Sequence, residues 1–220
     1  MKVTDYPLTD LLAAFRSPAP TPGGGSAAAL AGAIGSSLLA MVAGLPKPRA
    51  ATTEDLARLA ADGAACVALG ERLTALIDRD TEAYRLVVAG FRMPKGSDDE
   101  KAVRGERVQE ALRMATETPL DVMRACADAI SRAAAIAAFG NPHAASDVQV
   151  GLELLGAGLR GARLNVEVNL ESITDGQFVA AMRDEATRLT LAGEGGIQAA
   201  DRAAAEPPDP ASRIPAGEVT

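Results

Sequence analysis

Residues 20–45 read PTPGGGSAAALAGAIGSSLLAMVAGL, and the reading of this stretch decides the fold. After Pro22 come Gly23, Gly24 and Gly25, three residues without a Cβ. They predict a tight loop where another molecule's oxygens can come close to the backbone. Ser26 then opens a helix, and its hydroxyl is of the type that caps free N–H groups in a first turn. No proline follows until Pro46 and no charge until Lys47. Such a start offers bare donors and a partial positive charge, a cradle for an anion or a carbonyl. The same glycines also read as a plain helix-to-helix turn: the run lacks the lysine of a phosphate loop and the spacing of a dinucleotide fingerprint.

A helix that is apolar on every side is either the centre of a soluble core or a membrane span. Alanine and glycine outweigh leucine and isoleucine here, Ser36-Ser37 interrupts the run, and no basic flank precedes it, so a core helix is expected and no membrane partner. Ala28, Gly32, Ser36 and Ala40 recur every fourth residue. Such a stripe of small side chains admits another helix at close range, from this chain or from a second copy.

The rest of the composition agrees with close-packed helices. The 220 residues are 48% hydrophobic but 3% aromatic, with no Trp and abundant alanine. A net charge of −7 and the lack of basic clusters interleaved with aromatics argue against nucleic acid as a partner. Cys66 and Cys126 form no motif and read as buried thiols of a reducing, cytoplasmic compartment; Asp5 and Asp10 break any apolar leader. With one histidine, His143, and two separated cysteines, no first shell for zinc can be assembled, so hydrolytic or deaminating chemistry has to proceed without a zinc-activated water unless carboxylates alone hold a metal.

Helical periodicity continues along the chain. A short amphipathic helix ends before Ser17-Pro18. Thr52-Thr53 followed by Glu54-Asp55 predicts the start of a long helix reaching about Arg92. Its seam runs Leu56, Leu59, Gly63, Val67, Gly70, Leu73, Ile77, Asp80, Tyr84, Val87, Phe91 at steps of three or four. Asp80 is the one charge on it. A carboxylate facing a core costs several kcal/mol unless it is paired, hydrogen-bonded or protonated, so Asp80 is either a structural cap or a site residue. After a loop at Met93-Pro94-Lys95-Gly96-Ser97, a polar helix is predicted from Asp98 to about Thr116, and a separate one from Pro119 to Gly140-Asn141-Pro142. Ser146-Asp147 opens a further long helix in which Asn165 and Asn169, four apart, share a face among apolar neighbours. Thr174-Asp175-Gly176-Gln177 caps a last helix that fades near Gly193. No stretch alternates with period two, so the expected fold is all-α, a bundle of long antiparallel helices around the buried alanine- and glycine-rich one. Residues 1–194 form the expected domain and residues 195–220, proline-rich towards the end, an expected disordered tail.

Taken together, Pro22-Gly23-Gly24-Gly25-Ser26, Asp80-Thr81-Glu82-Ala83-Tyr84, Arg92-Met93-Pro94-Lys95, Gly140-Asn141 with Ser146-Asp147, and Gly161-Ala162 through Asn165 and Asn169 to Ile173-Thr174-Asp175 resemble the cyclodeaminase domain of formiminotransferase-cyclodeaminase and its free-standing relatives, the methenyltetrahydrofolate cyclohydrolases. The resemblance spans nearly the whole chain up to about Leu191. It implies a metal-free, all-helical homodimer acting on a one-carbon-loaded tetrahydrofolate, with no cofactor beyond that substrate. It assigns Asp80 to the chemistry and Gly23, Gly24, Gly25 and Ser26 to a carbonyl or carboxylate of the folate. Asn141, Asp147 and Asn165 would hold the pterin or place Asp80, and Lys95 and Arg92 would meet the glutamate tail. His143 has no counterpart in that pattern and is read as a loop residue. The bifunctional pattern carries a lysine- and tyrosine-rich segment after the central helix where this chain has Pro46-Lys47-Pro48-Arg49-Ala50-Ala51, and no formiminotransferase domain accompanies it. Hydrolysis of 5,10-methenyltetrahydrofolate to 10-formyltetrahydrofolate is therefore expected ahead of ammonia release from formiminotetrahydrofolate. A non-catalytic folate-binding or oligomerisation module is the alternative from another class.

Overall fold

Side-chain caps start the long helices at the predicted places. In the computed structural model, which describes residues 2–46 and 52–205, Thr52 and Asp55 exchange hydrogen bonds at the start of α3 (Thr53–Phe91), and Ser97 and Glu100 do the same for α4 (Asp98–Phe139). Asp175 accepts from the N–H groups of Gln177 and Phe178 as α6 (Gly176–Ala205) begins. The remaining helices are α1 (Leu8–Arg16), α2 (Gly24–Gly44) and α5 (Ala145–Leu170), with 3-10 turns at Val3–Asp5 and Pro142–Ala144. Among the described residues there is no strand.

The stripe of small residues on α2 is consumed within the chain. Gly32 packs on Leu73 of α3 and Cys126 of α4, Ala28 lies against Gly158 and Gly161 of α5, and Ser36 donates its hydroxyl to the Cys66 carbonyl of α3 at 2.7 Å. A Cβ at Gly158 would sit 2.8 Å from the Ala28 carbonyl oxygen, so only glycine permits this spacing. These contacts set α2 antiparallel to both α3 and α5. By length and composition α2 passes for a membrane span, and half of its apolar run is buried inside the protein.

Yet α2 is not the helix buried on all sides. Ala27, Ile34 and Met41, seven residues apart, face outward, and α4 is the element that touches α2, α3, α5 and α6. Leu120, Met123, Ile130 and Ile136 of α4 are fully buried, each contributing about 1.5–3 kcal/mol of burial. Cys66 and Cys126 are free, buried thiols, pushed up by desolvation to about 11 and about 12.

Three expectations are corrected. First, Pro119 does not start a helix; it sits inside the continuous α4. Its missing N–H leaves the Ala115 carbonyl without the usual donor, and the Asn169 side-chain amide of α5 supplies one at 2.7 Å. Second, α6 runs on through Gly193 to Ala205, past the boundary expected at residue 194, so residues 195–205 are helix and not tail. Gly193 and Gly196 are the points where α6 nests against Leu159 and Ile130. Residues 206–220 of that tail, and residues 47–51 of the segment that departs from the bifunctional pattern, lie outside the described residues. Third, the α3 seam is buried at Leu59, Gly63, Gly70, Leu73 and Ile77, whereas Leu56, Val67, Tyr84 and Phe91 are exposed. Asp80 stands where the seam turns outward.

Candidate active site

The first turn of α2 is flanked by two helices, and both bring polar side chains to it. From α3 comes Asp80, half-buried, whose Oδ2 lies 2.9 Å from the Ser26 hydroxyl. From α5 comes the Asn165 amide, set against Gly24; its nitrogen donates to the Gly161 carbonyl at 2.9 Å. The helix begins at Gly24, with Gly23 as its N-cap, two residues earlier than expected. Ser26 is therefore inside the first turn and fully buried, and its hydroxyl also reaches the Ile77 carbonyl at 3.0 Å. None of the glycines has a positive φ among the described residues. Their value here is space: a Cβ on Gly25 would collide with the Asp80 carboxylate.

Burial raises the Asp80 carboxyl above its ordinary value, opposed by the hydroxyl and the N–H of Ser26. Among the described residues no guanidinium or ammonium contributes. The neighbouring Asp78 has a different fate: it accepts from the N–H of Val3 at 2.6 Å and the Thr4 hydroxyl at 2.6 Å, pinning the amino-terminal 3-10 turn. One helical turn beyond Asp80, Tyr84, Arg85, Val88 and Arg92 of α3 face Pro20 and Thr21 across an open cleft of about 540 Å³.

The structure thus gathers Gly23, Gly24, Gly25, Ser26, Asp80 and Asn165. It does not bring the other expected residues to them within one chain. Asn141 lies at the opposite end of α2, about 30 Å away for a helix of 21 residues. There its amide donates to the Pro46 carbonyl at 2.8 Å and its oxygen accepts the N–H of His143 at 3.0 Å. Asp147, half-buried in the first turn of α5, is at that same far end. Lys95 is exposed in the α3–α4 loop and does not line the cleft, whereas Arg92 does. Sequence reasoning missed Thr21, Thr81 and Arg85. Thr81 is buried with its hydroxyl 3.5 Å from that of Ser26; it follows Asp80 directly in sequence, four residues after Ile77, and that position was the available signal.

Chemically, the arrangement holds an uncompensated carboxyl able to take and return a proton, beside helix N–H donors and next to an open cleft. A family model described as formiminotransferase-cyclodeaminase matches residues 7–188. The chain belongs to this family. Among formiminotransferase-cyclodeaminase relatives, it is 41% identical over 162 residues to the methenyltetrahydrofolate cyclohydrolase of Methylorubrum extorquens, covering 74% of this chain and 78% of that one. It is 31% identical over 183 residues to the formimidoyltransferase-cyclodeaminase of Sus scrofa, covering 83% of this chain and 34% of that longer one. The crystal structure of formiminotetrahydrofolate cyclodeaminase from Thermotoga maritima superposes with a TM-score of 0.81 at 26% identity, over 93% of this chain and 98% of that one. The all-α reading and the family resemblance both hold.

Proposed function

We propose that this protein is a methenyltetrahydrofolate cyclohydrolase in which Asp80 moves the proton. The observation that carries the reading is the half-buried carboxyl at the first turn of α2, held above its ordinary value by burial and, among the described residues, left without a cation. A 5,10-methenyl bridge is an amidinium-like cation. A negative carboxylate stabilises it in the ground state and accepts a proton from the attacking water as the C–O bond forms. The same carboxyl returns that proton to the nitrogen that leaves, while the hydroxyl of the tetrahedral carbon releases its own to solvent and becomes the formyl oxygen. One water is consumed and one proton released. A carboxyl whose pKa is raised by burial takes up a proton more readily than an ordinary aspartate does, which suits it to this exchange.

The Gly23–Gly24–Gly25 turn and Asn165 would bind a carbonyl or the pterin, and the cleft with Tyr84 and Arg92 suits the aromatic and carboxylate portions of the folate. We propose no metal and no cofactor beyond the folate; among the described residues no group of three or more His, Cys, Asp or Glu side chains is placed to hold an ion. We also propose a cytoplasmic homodimer. Its support is a two-helix apolar face: Ala27, Ile34 and Met41 on α2 run beside Val150, Ala157 and Leu164 on α5, all exposed and with Leu164 as high as 70%. In that reading, Asn141 and Asp147 serve the far end of each chain.

The second reading, formiminotetrahydrofolate cyclodeaminase, is favoured by the match to the Thermotoga maritima structure. The decisive experiment follows methenyltetrahydrofolate absorbance, and separately ammonia from formiminotetrahydrofolate, for the wild type and Asp80→Asn at matched folding. Accelerated methenyl hydrolysis that D80N loses supports the proposal. Ammonia release without methenyl hydrolysis replaces it with the second reading, and folate binding with neither reaction replaces it with a binding module.

A further inference from the structure

Ser26 has one hydroxyl hydrogen and two acceptors in reach of it. Its Oγ lies 3.0 Å from the Ile77 carbonyl oxygen and 2.9 Å from Asp80 Oδ2, in a position closed to solvent. A hydroxyl donates once and accepts up to twice. With the hydrogen on the Ile77 side, the contact to Asp80 is a hydrogen bond only if the carboxyl is protonated and donates to Ser26 Oγ. With the hydrogen on the Asp80 side, the carboxyl is ionised and accepts. The two arrangements differ by one rotation about the Cβ–Oγ bond and by one proton.

We infer that Ser26 is a positioning residue whose hydroxyl turns between the Ile77 carbonyl and Asp80, so that every gain or loss of the Asp80 proton is coupled to this one buried rotor. The inference rests on the proposed role of Asp80 and adds what holds its two protonation states in one geometry. When Asp80 takes a proton, the new O–H donates to Ser26 Oγ and the Ser26 hydrogen moves to Ile77. When Asp80 gives the proton up, the hydrogen turns back. No heavy atom has to move, and neither state leaves Ser26 without a partner.

Among the described residues no ionic neighbour competes for this control. The first turn of α2 carries no titratable side chain, and α5 presents the uncharged Asn165. On α3 itself, Asp78 is held by Val3 and Thr4, Arg79 by Asp121, and Glu82 by Arg85. Lys2 and Asp5 of the amino-terminal turn, with Asp78, Glu82 and Arg85, line a separate cleft. Tyr84 and Arg92 belong to the cleft one turn further on. Thr81, whose hydroxyl is 3.5 Å from that of Ser26, is neutral.

The test is a pH titration of the intact protein by carbon NMR, reading the Asp80 carboxyl and the Ile77 backbone carbonyl in the wild type, Asp80→Asn and Ser26→Ala. In the wild type the two signals are expected to titrate with one midpoint, and in D80N the Ile77 carbonyl is expected to be still. S26A is expected to silence the Ile77 response and to raise the Asp80 midpoint by about half to one pH unit, since the ionised form loses the stronger hydrogen bond. The pH profile of turnover should move with it. An Ile77 signal that stays fixed while Asp80 titrates in the wild type overturns the rotor, as does an S26A midpoint equal to that of the wild type. The wild-type and D80N measurements stand even if S26A folds poorly. Failure of the function shows elsewhere, as absent methenyl hydrolysis with the coupled titration intact.

Discussion

Two carboxylates on neighbouring helices are treated by this fold in opposite ways. Asp121 of α4 accepts from Arg72 at 3.1 Å and Arg79 at 2.9 Å, both on α3, and from Arg124 at 2.9 Å on its own helix. Arg124 continues to Glu185 of α6 at 2.7 Å, so this seam ties three helices through paired charge. Asp80, one residue from Arg79 in sequence, has no cation beside it among the described residues and leans on a serine. A carboxylate with arginines is an anchor, because its charge is matched in the folded state. One without them, half-buried, costs stability at neutral pH, and a fold that keeps it there has a use for it.

The largest expected effect separates the two most sharply. Asp80→Asn should lower kcat about 10²–10⁴-fold, the usual range for a proton-transfer group, while leaving the protein at least as stable as the wild type at neutral pH. The sign follows from linkage. The folded pKa of Asp80 is raised above 3.8, so between that value and the folded pKa the native state binds more protons than the unfolded one, and stability falls as pH rises through this window. D80N removes that fall. Thermal melting against pH checks it, and a D80N protein melting well below the wild type at neutral pH would make Asp80 an anchor like Asp121.

Asp121→Ala should show the reverse pattern: a loss of about 1–2 kcal/mol in denaturant unfolding, with kcat per folded molecule unchanged. The figure is kept small because its arginine partners are a third to a half exposed and Arg124 retains Glu185. The pH dependence also inverts here. Its hydrogen bonds with Arg124 hold Glu185 below its ordinary value, so that stability is present above the unfolded pKa of 4.5 and lost as pH falls through the folded one. A change in kcat for D121A would erase the distinction between the two regions.

Arg92→Ala is a smaller probe, on the cleft side of the site. A single cation meeting a carboxylate in an open cleft is worth about 1 kcal/mol, so KM for the folate should rise about fivefold with kcat nearly unchanged. Steady-state kinetics decides. A fall in kcat with KM constant would place Arg92 at the reacting centre and Asp80 no longer alone there.

How much of this was legible beforehand depends on the range of the contact. Helix starts at Thr52, Ser97 and Asp175 are local, closed within three residues, and their sequence signals are sufficient. Asp80 was visible because one charge stands out on an apolar seam. Its partner was not assignable: Ser26 and Ile77 meet across 51 residues, and Ser26 read as a backbone cap until the fold showed its hydroxyl turned to α3. Glycine misled where it served space and not bending, as at Gly193, which together with Gly196 lets α6 sit on α5 and α4. Asn141 was legible as a polar residue at a helix end, but only the fold reveals that it closes the turn after α4, far from Asp80.

Pro119 misled for a related reason, and it frames the smallest prediction. A proline inside a helix withdraws one N–H and usually ends or kinks the element, at a cost of about 3 kcal/mol or more. Here α4 continues, and the orphaned Ala115 carbonyl accepts the Asn169 amide from another helix, 54 residues on. Asn169→Ala should therefore cost about 1 kcal/mol, the price of a carbonyl left without a donor. In a Pro119→Ala background the backbone N–H returns at position 119, the Ala115 carbonyl is satisfied within α4, and the same N169A change should cost about 0.5 kcal/mol less. Denaturant unfolding of the four proteins in this cycle measures the coupling. Strict additivity would mean that the amide and the missing N–H are independent, and that Asn169, like Asp80 and unlike Asp121, is kept for something other than holding the bundle.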